Sequence, residues 1–174
     1  MKSVQNDHVA AELSHLVNSF GESDPIAPLR TQVERALHSH PDQPQAWEPL
    51  SLSALPFSIP EGIRSCWVFV LRAGASFGAE RHPNSHQRSV ALSGDAFFEI
   101  LIDDSWSQRP IRAANGEKDS DSVLSIPPSV WHRITVGGMN FVTMSFHTVP
   151  AEQLIEETPV GEDLSVTTQR RYHA

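Results

Sequence analysis

Residues 74–94, GASFGAERHPNSHQRSVALSG, hold two histidines, a glutamate, a glutamine and two arginines between Gly74 and Gly94. In an extended chain residues i and i+2 share a face, so Glu80 and His82 can point into one site and reach one metal ion. Pro83-Asn84-Ser85 bends the chain, so the alternation need not continue and either His86 or Gln87 can turn back toward that site. A third ligand has to come from elsewhere. The segment 126–134, IPPSVWHRI, offers His132 where a strand begins just after a proline-marked turn. Glu80, His82 and His132 make a two-histidine, one-carboxylate set, typical of non-haem Fe(II) oxygenases when positions stay open for substrate and oxygen. Gln87 is a candidate for an added neutral oxygen ligand.

The surroundings read as strands. IRSCWVFVLRAG (63–74) is aromatic and β-branched and ends at a glycine. RSVALSG and DAFFEILID follow, joined by the turn Ser93-Gly94-Asp95; then come DSVLSIPP, WHRITVGG and NFVTMSFHTVP. PLSLSALPFSI (49–59) is strand-like but broken by Pro56 and followed by Pro60. Short strands with regular turn signals and no helices between them predict an all-β antiparallel barrel or jelly roll. Upstream, Val9, Leu13, Leu16, Val17 and Phe20 recur at helical spacing with Gly21 as a stop. Leu29, Val33, Ala36 and Leu37 repeat the pattern before Pro41 and Pro44. The expected organisation is a helical region over 1–45, a barrel over 46–150 and an acidic, polar tail over 151–174 that forms a solvated extension or packs on an edge.

Composition narrows the function. The 174 residues suit one domain with a core, and 39% hydrophobic against 20% charged residues is a globular balance. A net charge of -8 and the absence of a Lys/Arg run argue against nucleic-acid and anionic-membrane surfaces. A single cysteine, Cys66, excludes an intrachain disulfide and reads as a buried, inert strand residue. The N-terminal MKSVQNDHVAAELSHLV lacks a signal-peptide core, and no run approaches membrane-spanning length, which predicts a cytoplasmic protein. His8, His15, His38, His40 and His173 lie outside the barrel motifs and read as surface residues.

The motif spacing carries a resemblance to the cupin superfamily. The first cupin motif, G-x5-H-x-H-x4-E-x6-G, has its counterpart in Gly74-x5-Glu80-x-His82-x4-Gln87-x6-Gly94. The second includes P-x-G-x2-H, and this chain has Pro127-x-Ser129-x2-His132. The resemblance implies a double-stranded β-helix, the cupin jelly-roll barrel. Within cupins the chain is most similar to the cysteine dioxygenase (thiol dioxygenase) group, which also has a short helical N-terminal region. Their H-x-H-T-N-S-H-C window is similar to ERHPNSHQ (80–87), their L-H-R-V to WHRI (131–134), and their V-S-L-H-L-Y-S-P to VTMSFHTVP (142–150). The likeness covers about residues 47–150.

The departures matter. Thiol dioxygenases use three neutral histidines, whereas position 80 is Glu, and a carboxylate weakens the pull on a bidentate thiolate. Gln87 replaces the motif cysteine, His147 falls at the tyrosine position, and Thr143 and Ser145 stand at the aligned serine and histidine. No arginine occurs in PLSLSALPF, where the family's carboxylate-binding arginine falls. Arg64, Arg72 or Arg88 can replace it only by a different geometry.

Phe141, Thr143, Ser145 and His147 share one strand face, which in a cupin lines the ligand cavity, so His147 is a candidate for acid/base work. His86 is expected beside the ligands as a group that orients them. Arg88, Arg72, Trp131 and Thr143 are candidates for substrate contacts, with a surface ion pair (Arg88) and packing (Trp131) as the plainer alternatives. The resulting expectation is a mononuclear Fe(II) dioxygenase acting with O₂ on a small thiol or other chelating organic acid. The alternatives are a non-redox isomerase or lyase using Zn²⁺, Ni²⁺ or Mn²⁺, and a non-catalytic binding cupin. Barrel edges also suit a homodimer.

Overall fold

The computed structural model describes residues 7–20, 24–114 and 120–171; the expected helix stop at Gly21 and the surface reading of His173 lie outside them. Two helices come first. In α1 (His8–Asn18) Ala10, Leu13 and Val17 form the buried stripe, and the Asp7 carboxylate caps the start by accepting from the Val9 and Ala10 amides. In α2 (Ala27–Ser39) a proline stands in the first turn and Val33 and Leu37 are buried. No described helix is long and apolar enough to cross a membrane.

Ten strands follow among the described residues: β1 (Gln45–Pro49), β2 (Ser65–Leu71), β3 (Gln87–Ser93), β4 (Asp95–Ile102), β5 (Ser105–Arg112), β6 (Val123–Ile126), β7 (His132–Val136), β8 (Phe141–His147), β9 (Ile155–Val160) and β10 (Asp163–Arg171). All pairings are antiparallel, in a five-stranded sheet β1-β2-β8-β3-β6, a three-stranded sheet β5-β4-β7 and the hairpin β10-β9.

The central strands β2, β3 and β8 of the five-stranded sheet are covered on both faces, so even the polar Ser89, Thr143, Ser145 and His147 are buried. Cys66, Val68, Val70, Val90, Val142, Met144 and Phe146 pack against Leu13, Val17, Val33 and Leu37 of the helices. Each such fully buried apolar side chain contributes about 1.5–3 kcal/mol. The opposite residues, among them Leu71, Ala91 and Phe141, meet Phe98, Ile100 and Ile111 from the three-stranded sheet. At one end the space between the sheets stays open as a cavity.

Three readings of the chain change. Residues 50–60 are not a strand; a short 3-10 turn, Leu52–Ala54, sits there, and the edge strand precedes it at Gln45–Pro49. SWSQRPIR, which has no apolar run, is the edge strand β5 and accommodates Pro110 there. The acidic tail is not a solvated extension: it forms β9 and β10, with Leu154, Glu156 and Glu157 buried.

Candidate metal centre

After β2 the chain turns at Gly74, whose φ of 71° is in the left-handed region that glycine adopts without strain, and runs beside β7. There Glu80 and His132 form an antiparallel bridge in which each amide donates to the other's carbonyl, at 2.8 and 2.9 Å. Directly opposed residues project to the same face, so the two side chains stand together. His82, two residues on, joins them. One ligand atom from each of Glu80, His82 and His132 lies within 4.8 Å of the others.

The turn before β7 completes the geometry. Ser129 has φ 66° and donates its amide to the His82 carbonyl at 3.0 Å. That position holds glycine in the cupin motif, and the left-handed backbone is the reason.

The protonation pattern is dictated by partners. His82 Nδ1 lies 3.1 Å from the Ile155 carbonyl and His132 Nδ1 lies 3.1 Å from the Val130 carbonyl. A carbonyl only accepts, so each Nδ1 carries a proton and each Nε2 is the nitrogen left to face a metal ion. Gln87 donates its amide to Ser89 Oγ at 3.1 Å, leaving its Oε1 buried without a partner, as is His132 Nε2. Glu80 Oε1 is 3.4 Å from that Nε2. The cavity wall therefore gathers a carboxylate, two imidazoles and an amide oxygen, and Glu80 and His132 share a hydrogen bond only while a proton sits on that Nε2. Oxygen and imidazole ligands of this kind fit a divalent metal, which would take the proton's place.

The electrostatics agree. Burial pushes the Glu80 carboxyl up, but the contact with His132 and the charges of His82 and Arg170 outweigh it and hold the group below the usual carboxylate range. Burial brings His82 down to about 4, against the opposing pull of Glu80, so the ring is neutral at pH 7. His147 is driven well below its ordinary value by burial, then by His82 and His132. Its ring meets His82 edge-on at 4.9 Å, and Ser85 and Ser145 hold its nitrogens at 3.1 Å each.

The cavity measures about 700 Å³ counting the part open to solvent. Its polar end carries Glu80, His82, Gln87, His132, Ser145 and His147. Trp67, Phe69, Leu71, Phe77, Phe98, Ile134 and Leu154 supply apolar lining, and Ser89 and Thr143 also line it. Thr143 Oγ1 donates to the Val90 carbonyl at 2.9 Å.

The other candidates lie elsewhere. Strand parity sends Arg88 and His86 away from the cavity: the Arg88 guanidinium meets Asp7 at 2.6 Å, and His86 Nε2 donates to Ser125 Oγ at 2.8 Å. Arg72 donates to the carbonyls of Leu37, His40 and Gln43 at 2.9–3.2 Å, satisfying the C-terminal end of α2, where a cation is favoured. Trp131 is buried beneath the Arg81 guanidinium, 4.6 Å from its ring centre, and lines no part of the cavity. Cys66 is buried, and burial raises its thiol pKa well above the ordinary value, so it stays protonated. The sequence reading missed Ser85, which holds His147, and the whole contribution of residues 153–157.

The fold is the cupin jelly roll. No family model and no curated protein matches the sequence. Among solved structures, the pumpkin pro-11S globulin overlays with a TM-score of 0.52 at 18% identity, over 67% of this chain and 28% of the globulin. The coconut allergen cocosin overlays at 0.53 and 18% identity, over 70% of this chain and 30% of cocosin. This chain thus spans under a third of either. A looser overlay, at 0.48 and 15% identity, is with the oxalate decarboxylase of Lactobacillus farciminis, over 62% of this chain and 30% of that one. These likenesses speak to fold; the chemistry has to come from the residues.

Proposed function

We propose that this chain is a metal-dependent cupin enzyme: a mononuclear non-haem Fe(II) dioxygenase acting on a small chelating organic acid or thiol with an apolar body. The observation that carries the reading is the convergence of Glu80, His82 and His132, one candidate ligand atom of each lying within 4.8 Å of the others. When bound, Fe(II) supplies open coordination positions for substrate and O₂ and the electrons that O₂ activation requires.

The protein's own residues account for selectivity. Glu80 lowers the net positive charge of the site, which favours a substrate bringing one negative charge over one bringing two. Neutral His147 adds no further cation beside His82, and its serine partners give a proton two hydroxyls to move between. The apolar walls take the substrate's body and exclude water. Among the described lining residues Arg133 is the only Lys or Arg, and it is forked onto Glu99 at 2.7 and 3.1 Å. The far end of the substrate therefore meets no unbalanced charge, which disfavours cysteine itself.

The test is to load the purified protein with Fe(II) anaerobically, measure bound iron, then admit O₂ with a panel of small thiols and chelating acids. Iron binding and O₂ uptake are expected, both lost in Glu80→Ala and His132→Ala. Iron-loaded protein that consumes no O₂ across the panel sinks the dioxygenase reading. A second reading rests on the orphaned Gln87 Oε1. As a fourth ligand it suits a non-redox isomerase or lyase using Zn²⁺, Ni²⁺ or Mn²⁺ as Lewis acid. Turnover with Zn²⁺ in the absence of oxygen would select it.

A further inference from the structure

The segment that carries Glu80 and His82 has a second neighbour besides β7. On its other side runs the start of β9, from the C-terminal hairpin. Arg81 and Glu157 form a bridge with both amide–carbonyl bonds made, at 3.0 and 2.9 Å. Their side chains close the same bridge, Arg81 Nε donating to Glu157 Oε2 at 2.6 Å. Gln169 of β10 donates to the other Glu157 oxygen. Asn84 donates to the Gln153 carbonyl at 2.7 Å and accepts from the Ile155 amide at 3.2 Å. Between these two fastenings the Ile155 carbonyl takes the His82 Nδ1 proton at 3.1 Å. Leu154, 1% exposed, packs against Trp67 and closes the cavity wall.

We infer that residues 153–157 are part of the metal centre, with Asn84 and Glu157 as positioning residues that hold the Ile155 carbonyl against His82. The inference rests on the metal reading of Glu80, His82 and His132. Its physical content is twofold. The carbonyl fixes the ring's tautomer and rotation, so the Nε2 lone pair faces Glu80 and His132 before any ion arrives. A cation on Nε2 makes Nδ1–H a stronger donor, which tightens the contact to Ile155. Metal binding and hairpin docking then stabilise each other by the same factor, because coupling between two binding equilibria is reciprocal. The ligand-bearing segment, spanning three residues from Glu80 to His82, is thus clamped from both sides, by β7 through its first residue and by β9 through its second.

The experiment uses the full chain and Zn²⁺ as probe, with affinity read by competition against a chromophoric chelator. Asn84→Ala should weaken Zn²⁺ binding about 10–100-fold while the metal-free protein keeps its melting temperature within a few degrees. Asn84→Asp, which keeps the acceptor for the Ile155 amide, should restore part of the loss. In the unaltered protein Zn²⁺ should slow amide hydrogen exchange at Ile155, Glu157 and their β10 partners. Unaltered protein that binds Zn²⁺ and loses it in His82→Ala, but shows neither the Asn84→Ala loss nor slower exchange in the hairpin, overturns the inference and leaves the metal reading standing. Unaltered protein that binds no Zn²⁺, Fe²⁺ or Mn²⁺ overturns both.

Discussion

Two polar clusters stand back to back across β3. On its helix-facing side Arg88 Nε donates to Asp7 Oδ2 at 2.6 Å, and its guanidinium also donates to His86 Nδ1 at 3.3 Å. That fixes the His86 proton on Nε2, which donates to Ser125 Oγ at 2.8 Å; Ser125 in turn donates to Asp7 Oδ2 at 2.6 Å. The other Asp7 oxygen caps α1. Donors and acceptors alternate around a closed ring. On the cavity side Gln87, one residue away, stands near the candidate ligands with its Oε1 unpartnered, as is His132 Nε2. The ring holds one histidine and the cavity side three, but the sharper difference is completion. A saturated ring holds a helix to a sheet, whereas unpartnered ligand atoms suit a cation.

On the unfinished side the expected effect is a response to metal. Zn²⁺ at about a hundred times its dissociation constant should raise the stability of the unaltered protein by about 2.7 kcal/mol. His132→Ala should abolish that rise, while variants of the Asp7–Arg88 ring keep it. Calorimetry with and without Zn²⁺ checks both; a ring variant that also loses the metal response would merge the two clusters into one.

On the finished side the effect is on folding itself. Arg88→Ala leaves the Asp7 carboxylate without its cation and should cost about 3–5 kcal/mol in urea unfolding, as for other broken buried pairs. Asp7→Asn is milder, about 1–3 kcal/mol, because asparagine still caps the helix. Its pH dependence carries the sign. Burial raises the Asp7 pKa, but the Arg88 and Ser125 hydrogen bonds prevail and bring it below the ordinary value. A depressed carboxyl contributes stability above its unfolded pKa of about 3.9 and loses it as pH falls toward the folded value. The gap between unaltered protein and Asp7→Asn should therefore be full at pH 7 and shrink below about pH 4. A gap that stays constant into acid would mean the charge is not what holds the ring.

Much of the cavity side was legible because it follows local rules. The i, i+2 pairing of Glu80 with His82 and the proline turn before His132 need only strand parity and a turn. The helix-facing side was not legible. After Pro83 the alternation restarts, and nothing local says that His86 and Arg88 answer to Asp7, which precedes Arg88 by 81 residues. Glu156 and Glu157 illustrate the same limit. Adjacent acids read as solvated, yet one meets Arg170 at 2.7 Å and the other Arg81 at 2.6 Å, on opposite faces of β9. Long-range ion pairs cancel the composition signal that a tail reading relies on. The strand β5 went unseen for a different reason: an edge strand with one wet face and a proline lacks a continuous apolar signature.

The finest test sits at Gln87, since a sign rather than a size decides it. Methionine matches glutamine closely in length and carries no strong hydrogen-bonding group. In metal-free protein Gln87→Met removes a buried acceptor that has no partner, a feature costing about 1–3 kcal/mol, and gives up one hydrogen bond to Ser89 worth about 0.5–1.5 kcal/mol. At mid-range the balance is a gain of about 1 kcal/mol. With Zn²⁺ present the order should reverse: losing an oxygen ligand that weakens binding about tenfold removes about 1.4 kcal/mol of the metal's stabilisation. Paired unfolding curves, metal-free and Zn²⁺-loaded, measure the crossing. If Gln87→Met instead destabilises the metal-free protein as Arg88→Ala does, Gln87 already has what it needs, and the two faces of β3 do not differ in kind.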